Sequence, residues 1–221
     1  YGVNASLGSV SISGTGLVTV TGVSPGTSST ATITTTRNGY GNGSSQITST
    51  SLNTGLTPSF GNPAATVDGF TVQITNYDAN FNYGGTASAG SASINNSGLI
   101  TVTGVSAGTS STITITTSRS VYTNESAQIS ANSLNAANIP TFGTVNSTVD
   151  GYTVQITNYD PSFIYAGSAS SGSISLSSSG LATLSSLSPN TASTITFVTS
   201  RNGYAGGSAQ VSGASLAPVT L

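Results

Sequence analysis

Cysteine, methionine, tryptophan, histidine and lysine are all absent from the 221 residues. Each absence removes a chemistry. Without His, Cys or Lys there is no imidazole base, thiolate nucleophile, Schiff-base amine or soft metal ligand. Charge is nearly absent as well, with three Arg and five acidic residues. Three Arg cannot line a phosphate backbone, so nucleic acid is excluded as a partner. No apolar run approaches the length that spans a bilayer, so no membrane insertion is expected. The opening residues show no charged and then apolar leader, so a mature or excised stretch is expected. Without disulfides, each domain must stand on its own buried core.

Ser (42) and Thr (36) make up about a third of the chain, and 27 Gly accompany them. Such polarity is compatible with disorder, but the 35% apolar content argues against it. The apolar residues are largely Val, Ile, Leu, Phe and Tyr in alternating runs, which suit a pleated, half-buried surface. An all-β chain is predicted.

Self-similarity organises the rest. Tyr1, Tyr83 and Tyr165 open related stretches, and Arg37, Arg119 and Arg201 keep the same spacing of 82 residues. So do Tyr40, Tyr122 and Tyr204. Pro58–Asn82 and Pro140–Ile164 agree at 16 of 25 positions around a shared TVDG-[FY]-TVQITNYD. The expected units are residues 1–57, 58–139 and 140–221. The first lacks a counterpart of the leading 25 residues, which is to say its first two strands. A period this long suits a small independent β-domain, so beads on a string are expected.

In residues 58–139, Phe70, Val72 and Ile74 alternate onto one strand face. Asp68-Gly69 signals a tight turn joining that strand to one built from Pro58 onwards. The span 83–94 supplies one or two strands, with Ala87, Ala92 and Ile94 inward. Leu99–Val105 carries Ile100 and Val102, Ser111–Ser118 carries Ile113 and Ile115, and Gln128–Leu134 is anchored by Ile129. About seven strands per repeat predict a Greek-key β-sandwich of the immunoglobulin kind.

Val23-Ser24-Pro25-Gly26-Thr27 precedes the alternating strand Ala31-Thr32-Ile33, and Leu187-Ser188-Pro189-Asn190-Thr191 precedes Ile195-Thr196-Phe197. This resembles the Leu-x-Pro-Gly-Thr turn of fibronectin type III domains. The whole repeat is similar to the immunoglobulin-like modules strung along large bacterial surface proteins. The chain departs from the fibronectin pattern by having no Trp, by Ser28, Ser29 and Thr30 where an aromatic is usual, and by Ala107 in place of the Pro. The resemblance implies a non-enzymatic, extracellular or cell-surface module with no cofactor.

Few constellations carry chemistry. Asp78 and Asp160 close the second strand and Arg119 and Arg201 close the sixth. In an immunoglobulin-like topology these ends meet, so the pairs Asp78–Arg119 and Asp160–Arg201 are expected as loop braces, with ligand binding as the alternative. Asp68 and Asp150 are assigned to turns needing φ > 0. Calcium is the alternative, but two Asp per repeat fall short of its six to eight oxygens. Asp68 and Asp78 lie more than about 25 Å of extended chain apart, too far for a hydrolytic carboxylate pair. Lys–Asn cross-links are impossible without Lys. Five Asn-x-Ser/Thr sequons, at Asn4, Asn42, Asn95, Asn124 and Asn146, leave glycosylation open without arguing for it, since many such matches arise by chance in so Ser- and Thr-rich a chain. Tyr40, Tyr122 and Tyr204 sit on polar loops and are candidate contacts for their own domain, a neighbour or a sugar ring.

Two functions follow from this reading. One is a structural array forming a stalk, fibre, filament or surface layer. The other is an adhesin or carbohydrate-binding module of a cell-surface or virion protein, with glycans as partner. The five-strand first unit is expected to be completed by chain continuing upstream of Tyr1, or by self-association through strand donation.

Overall fold

The computed structural model describes residues 1–218. Among them every regular element is a β-strand. Residues 1–57 hold β1 (Gly2–Ala5), β2 (Ser9–Ile12), β3 (Val18–Thr21), β4 (Ser28–Thr35) and β5 (Gly43–Thr50). Residues 58–139 hold β6 (Ala64–Thr66), β7 (Gly69–Gln73), β8 (Asn82–Ala87), β9 (Ser91–Ile94), β10 (Leu99–Thr103), β11 (Ser110–Ser118) and β12 (Glu125–Asn132). Residues from 140 on hold β13 (Asn146–Thr148), β14 (Gly151–Gln155), β15 (Ile164–Ala169), β16 (Ser173–Leu176), β17 (Leu181–Ser185), β18 (Ala192–Ser200) and β19 (Gly207–Ala214).

The second unit has one sheet in the order β6-β7-β10-β9 and another in the order β12-β11-β8. The third repeats this as β13-β14-β17-β16 and β15-β18-β19. This is the ABED and CFG arrangement of a constant-type immunoglobulin sandwich. The chain is therefore a tandem of immunoglobulin-like sandwiches. The first unit keeps β1-β4-β5 and β2-β3.

Alternation places the core. Phe70, Val72 and Ile74 from β7 meet Ile100 and Val102 from β10 and Ile113 and Ile115 from β11, all essentially excluded from solvent. Each such side chain contributes about 1.5–3 kcal/mol by burial. Ala87, Ala92, Ile94 and Ile129 pack around them, half-buried. In the third unit Tyr152, Val154, Ile156, Leu184, Ile195 and Phe197 fill the same places. One exchange is compensated. Tyr152 stands for Phe70, and Gly213 stands for Ala131, because a Cβ on Gly213 would lie 2.7 Å from the Tyr152 ring. The outward faces carry hydroxyl pairs across strands, such as Thr30–Thr48 and Thr112–Ser130 at 2.7 Å.

Two sequence expectations are corrected. The last strand runs Glu125–Asn132, starting three residues and ending two residues before the expected Gln128–Leu134, because β11 pairs it from Thr117↔Glu125 onward. Leu134 instead donates its amide to the Thr66 carbonyl at 2.8 Å. The Asp–Gly turns do not use positive φ at Asp68, Gly69, Asp150 or Gly151. Gly69 is there for proximity: a Cβ would lie 2.0 Å from the Val102 carbonyl oxygen, and one on Gly151 would lie 1.9 Å from that of Leu184.

Candidate functional site

The recurring Arg, Asp and Tyr converge where β11 turns into β12 and where β18 turns into β19. Arg119 lies over the Tyr122 ring at 4.7 Å and the Phe81 ring at 5.5 Å. Phe81 and Tyr122 meet edge to face at 5.3 Å. Arg201 repeats this over Tyr204 at 4.6 Å and Phe163 at 5.4 Å. An exposed cation–π contact of this kind contributes about 0.5–1 kcal/mol. Among the described residues Arg37 has Tyr40 alone beneath it, at 4.9 Å.

The carboxylates sit close by but bond elsewhere. Asp78 accepts from the Asn80 amide at 2.9 Å and from its side chain at 2.7 Å. Asp160 accepts from the Ser162 amide at 2.9 Å, and Ser162 Oγ in turn accepts from Arg201 at 2.8 Å. The Asn80 bonds hold the Asp78 carboxyl below its usual range, with the Arg119 charge the smallest contributor. Ser162 and Arg201 act on Asp160 in the same order. Asp and Arg thus feel each other at one pole, while aromatic faces take the guanidinium.

Residues not singled out in the sequence complete the site. The segment leaving the first unit runs beside the β11–β12 loop of the second, in a parallel bridge Asn53↔Tyr122. Asn53 donates its amide to the Val121 carbonyl at 2.8 Å, and its carbonyl accepts from Thr123 at 2.9 Å. Its side-chain amide reaches the same Val121 carbonyl at 3.2 Å. The buried Thr117 hydroxyl donates to the Leu56 carbonyl at 2.5 Å. The next junction repeats the pattern. Asn135 bonds Gly203 and Ala205, and the buried Thr199 hydroxyl donates to the Asn138 carbonyl at 2.5 Å. Close approach requires glycine here too, since a Cβ on Gly55 would lie 2.1 Å from the Thr123 carbonyl.

The loop residue whose carbonyl receives the linker takes positive φ at both junctions, Val121 at 63° and Gly203 at 79°, and Gly39 at the matching position of the first unit has φ of 81°. A β-branched residue there is strained. Tyr122 and Tyr204 are half-buried at these junctions, whereas Tyr40 is 67% exposed. The signal for the linker was in the sequence: Ser-Leu-Asn at 51–53 and again at 133–135.

Among the described residues no three His, Cys, Asp or Glu gather to hold a metal ion. No helix of the described residues is long and apolar enough to cross a membrane.

No protein-family model matches the chain, and no curated protein matches it. Among solved structures it is similar to extracellular cadherin domains 1–4 of protocadherin gamma B7, at 14% identity and TM-score 0.28, over 96% of this chain and 66% of that one. It is similar to the N-terminal eight immunoglobulin domains of Down syndrome cell adhesion molecule, at 12% identity and TM-score 0.35, over 95% of this chain and 31% of that one. It is also similar to the FN1–FN3 domains of chicken CNTN1, at 14% identity and TM-score 0.31, over 87% of this chain and 76% of that one. Superpositions this loose place the chain in none of these families, and the strand order described above carries the fold assignment.

Proposed function

We propose that the chain is a non-enzymatic structural segment of an extracellular or cell-surface array, a stalk or filament whose units are held in fixed relation. The observation that carries this reading is the repeated junction. The same Asn backbone bridge and the same buried Thr hydroxyl join consecutive units twice. A flexible linker would leave those polar groups in water. Bonding them to the next unit limits the swing between sandwiches, as reach and stiffness in a stalk require. The low charge of the units lets such arrays lie side by side without strong mutual repulsion. Modules of bacterial surface proteins are the setting that the sequence resemblance suggests.

The alternative, an adhesin or carbohydrate-binding module, would present the loop tyrosines to a ligand. Tyr122 and Tyr204 instead face their own Arg and Phe at a loop already bonded to the preceding linker. That occupation favours the structural role.

Small-angle X-ray scattering on the whole chain tests it. The wild type is expected to scatter as one stiff, extended particle. Gly55→Ala together with Gly207→Ala, which drives a Cβ into each junction, is expected to give a flexible ensemble with unchanged β-sheet circular dichroism. A wild type that already scatters as freely jointed domains would end this reading.

A further inference from the structure

The first unit carries an uncovered sheet edge whose cover appears twice elsewhere in the chain. In the second unit β7 lies against β10, with Val72 opposite Ile100 and Phe70 opposite Val102. In the third, β14 lies against β17, with Val154 opposite Ala182 and Tyr152 opposite Leu184. The counterpart of β10 and β17 in the first unit is β3, which among the described residues pairs with β2 alone. Its Val18 and Val20 occupy the positions of Ile100 and Val102. They are half-buried, where those isoleucine and valine side chains are fully buried. Between β3 and the facing sheet lies a groove of about 430 Å³, lined by Val18, Val20, Val23, Ala31 and Ile47. Ile47 is 61% exposed, whereas its counterpart Ile129 packs against the core.

A second feature points to the same occupant. Tyr83 stacks on Tyr77 at 4.8 Å, and its hydroxyl accepts from the Asp78 amide at 2.9 Å. Tyr165 does the same with Tyr159 and Asp160. Both partners belong to the segment that follows β7 or β14. Tyr1, at the matching position, is 85% exposed.

We propose that this face is a receptor for a β-hairpin of the repeat's own type, the sequence class of Pro58–Asn82, supplied by polypeptide outside residues 1–221. The hairpin's second strand adds beside β3, antiparallel, and sends its alternate apolar side chains into the groove. Two features of the groove select it. Apolar residues must fall at every second position, because a one-residue slip turns them to solvent. The strand must also open on glycine, because the counterpart carbonyl in the second unit leaves 2.0 Å for a Cβ. A second copy of this chain is a poor occupant, since both of its hairpins already cover β10 and β17. The proposal does not rest on the structural-array reading. It concerns β3, whereas that reading rests on the linkers and the loops that receive them, so the two stand or fall separately.

The test is titration of a synthetic Pro58–Asn82 peptide into the whole chain, followed by fluorescence anisotropy and hydrogen exchange. A lone hairpin is barely structured in water, so order arises on binding. One peptide is expected to bind per chain and to slow exchange across Val18–Thr21. Peptides carrying Val72→Asp or Gly69→Val are expected to bind roughly a hundredfold more weakly or not at all. Absence of binding, equal binding of the variant peptides, or protection confined to β10 and β17 would overturn the proposal. So would concentration-dependent dimerisation that protects β3 without peptide, because a second copy would then be the occupant.

Discussion

Single residues in this chain act mainly by what they displace. Tyr152 shows it best: its ring is fully buried, its hydroxyl donates to the Ser193 carbonyl at 3.0 Å, and the glycine opposite makes room. Burial pushes its pKa above the ordinary tyrosine value, with a smaller opposing influence from the Ile195 backbone. In the unfolded chain the same phenol titrates near ~10. The unfolded state therefore sheds a proton first as pH rises. The stability this residue contributes is fully present below ~10 and is lost towards the folded value, at about 1.4 kcal/mol per pH unit between the two. Urea unfolding of the third unit between pH 8 and 11 is expected to show this alkaline decline, and Tyr152→Phe, which copies Phe70 of the second unit, is expected to flatten it. Residue-scale detail was legible only in part. Alternation in Phe70-Thr71-Val72-Gln73-Ile74 gave the core face directly. The glycine of each Asp–Gly pair was misread, since composition suggests a turn conformation while the cause is a carbonyl in another strand. The rings beneath Arg119 were not legible, because charge is visible in a sequence and the face of an aromatic ring is not.

At the scale of elements, the turns between strands carry the specificity. The loop joining β11 and β12 receives the preceding linker, and the turn before β11 is fitted to its own unit's outgoing linker. Gly108 has φ of 67°, and a Cβ there would lie 2.6 Å from Asn135 Oδ1. In the third unit the pair is exchanged: Asn190, with φ of 55°, stands for Gly108 and Ala217 stands for Asn135. Each unit thus tolerates one asparagine at this contact, on one side or the other. Asn accepts the left-handed region readily, so the obstacle at 108 is steric rather than conformational. Gly108→Asn alone is expected to destabilise the second unit. Adding Asn135→Ala should recover part of the loss, with a coupling energy of about 1 kcal/mol in a double-mutant cycle. Strictly additive effects would show that the two positions are independent. The strands themselves followed from period-two patterns. The linker contact did not, because its hydrogen bonds run from the backbone and side chain of Asn53 to a loop 68 residues away, and a recurring Ser-Leu-Asn says nothing of where its amides point.

Across the whole molecule the three units share one plan but not one degree of cover. The second and third bury a two-sheet core of seven strands each, while the first has five strands and leaves β3 paired on one side. In arrays of this kind, stability is the sum of each unit's own contribution and its junction terms. The junction between the first two units is anchored by Asn53 and Thr117, so the first unit is tethered without its core being closed. Ala31 is its one buried apolar residue, against eight buried apolar residues in the core cluster of the second unit. Half-buried apolar contacts and a free edge are the marks of low local stability. Native-state hydrogen exchange is therefore expected to rank the units. The amides of β3 should exchange through local opening, well before those of β10 and β17, which should exchange only when their units unfold. Thermal unfolding should show an early, small transition from residues 1–57, followed by a larger one from the remaining units. A covering hairpin, such as the Pro58–Asn82 peptide, should raise the early transition and leave the later one in place. A single cooperative transition with uniform protection would mean that the junction alone holds the first unit closed.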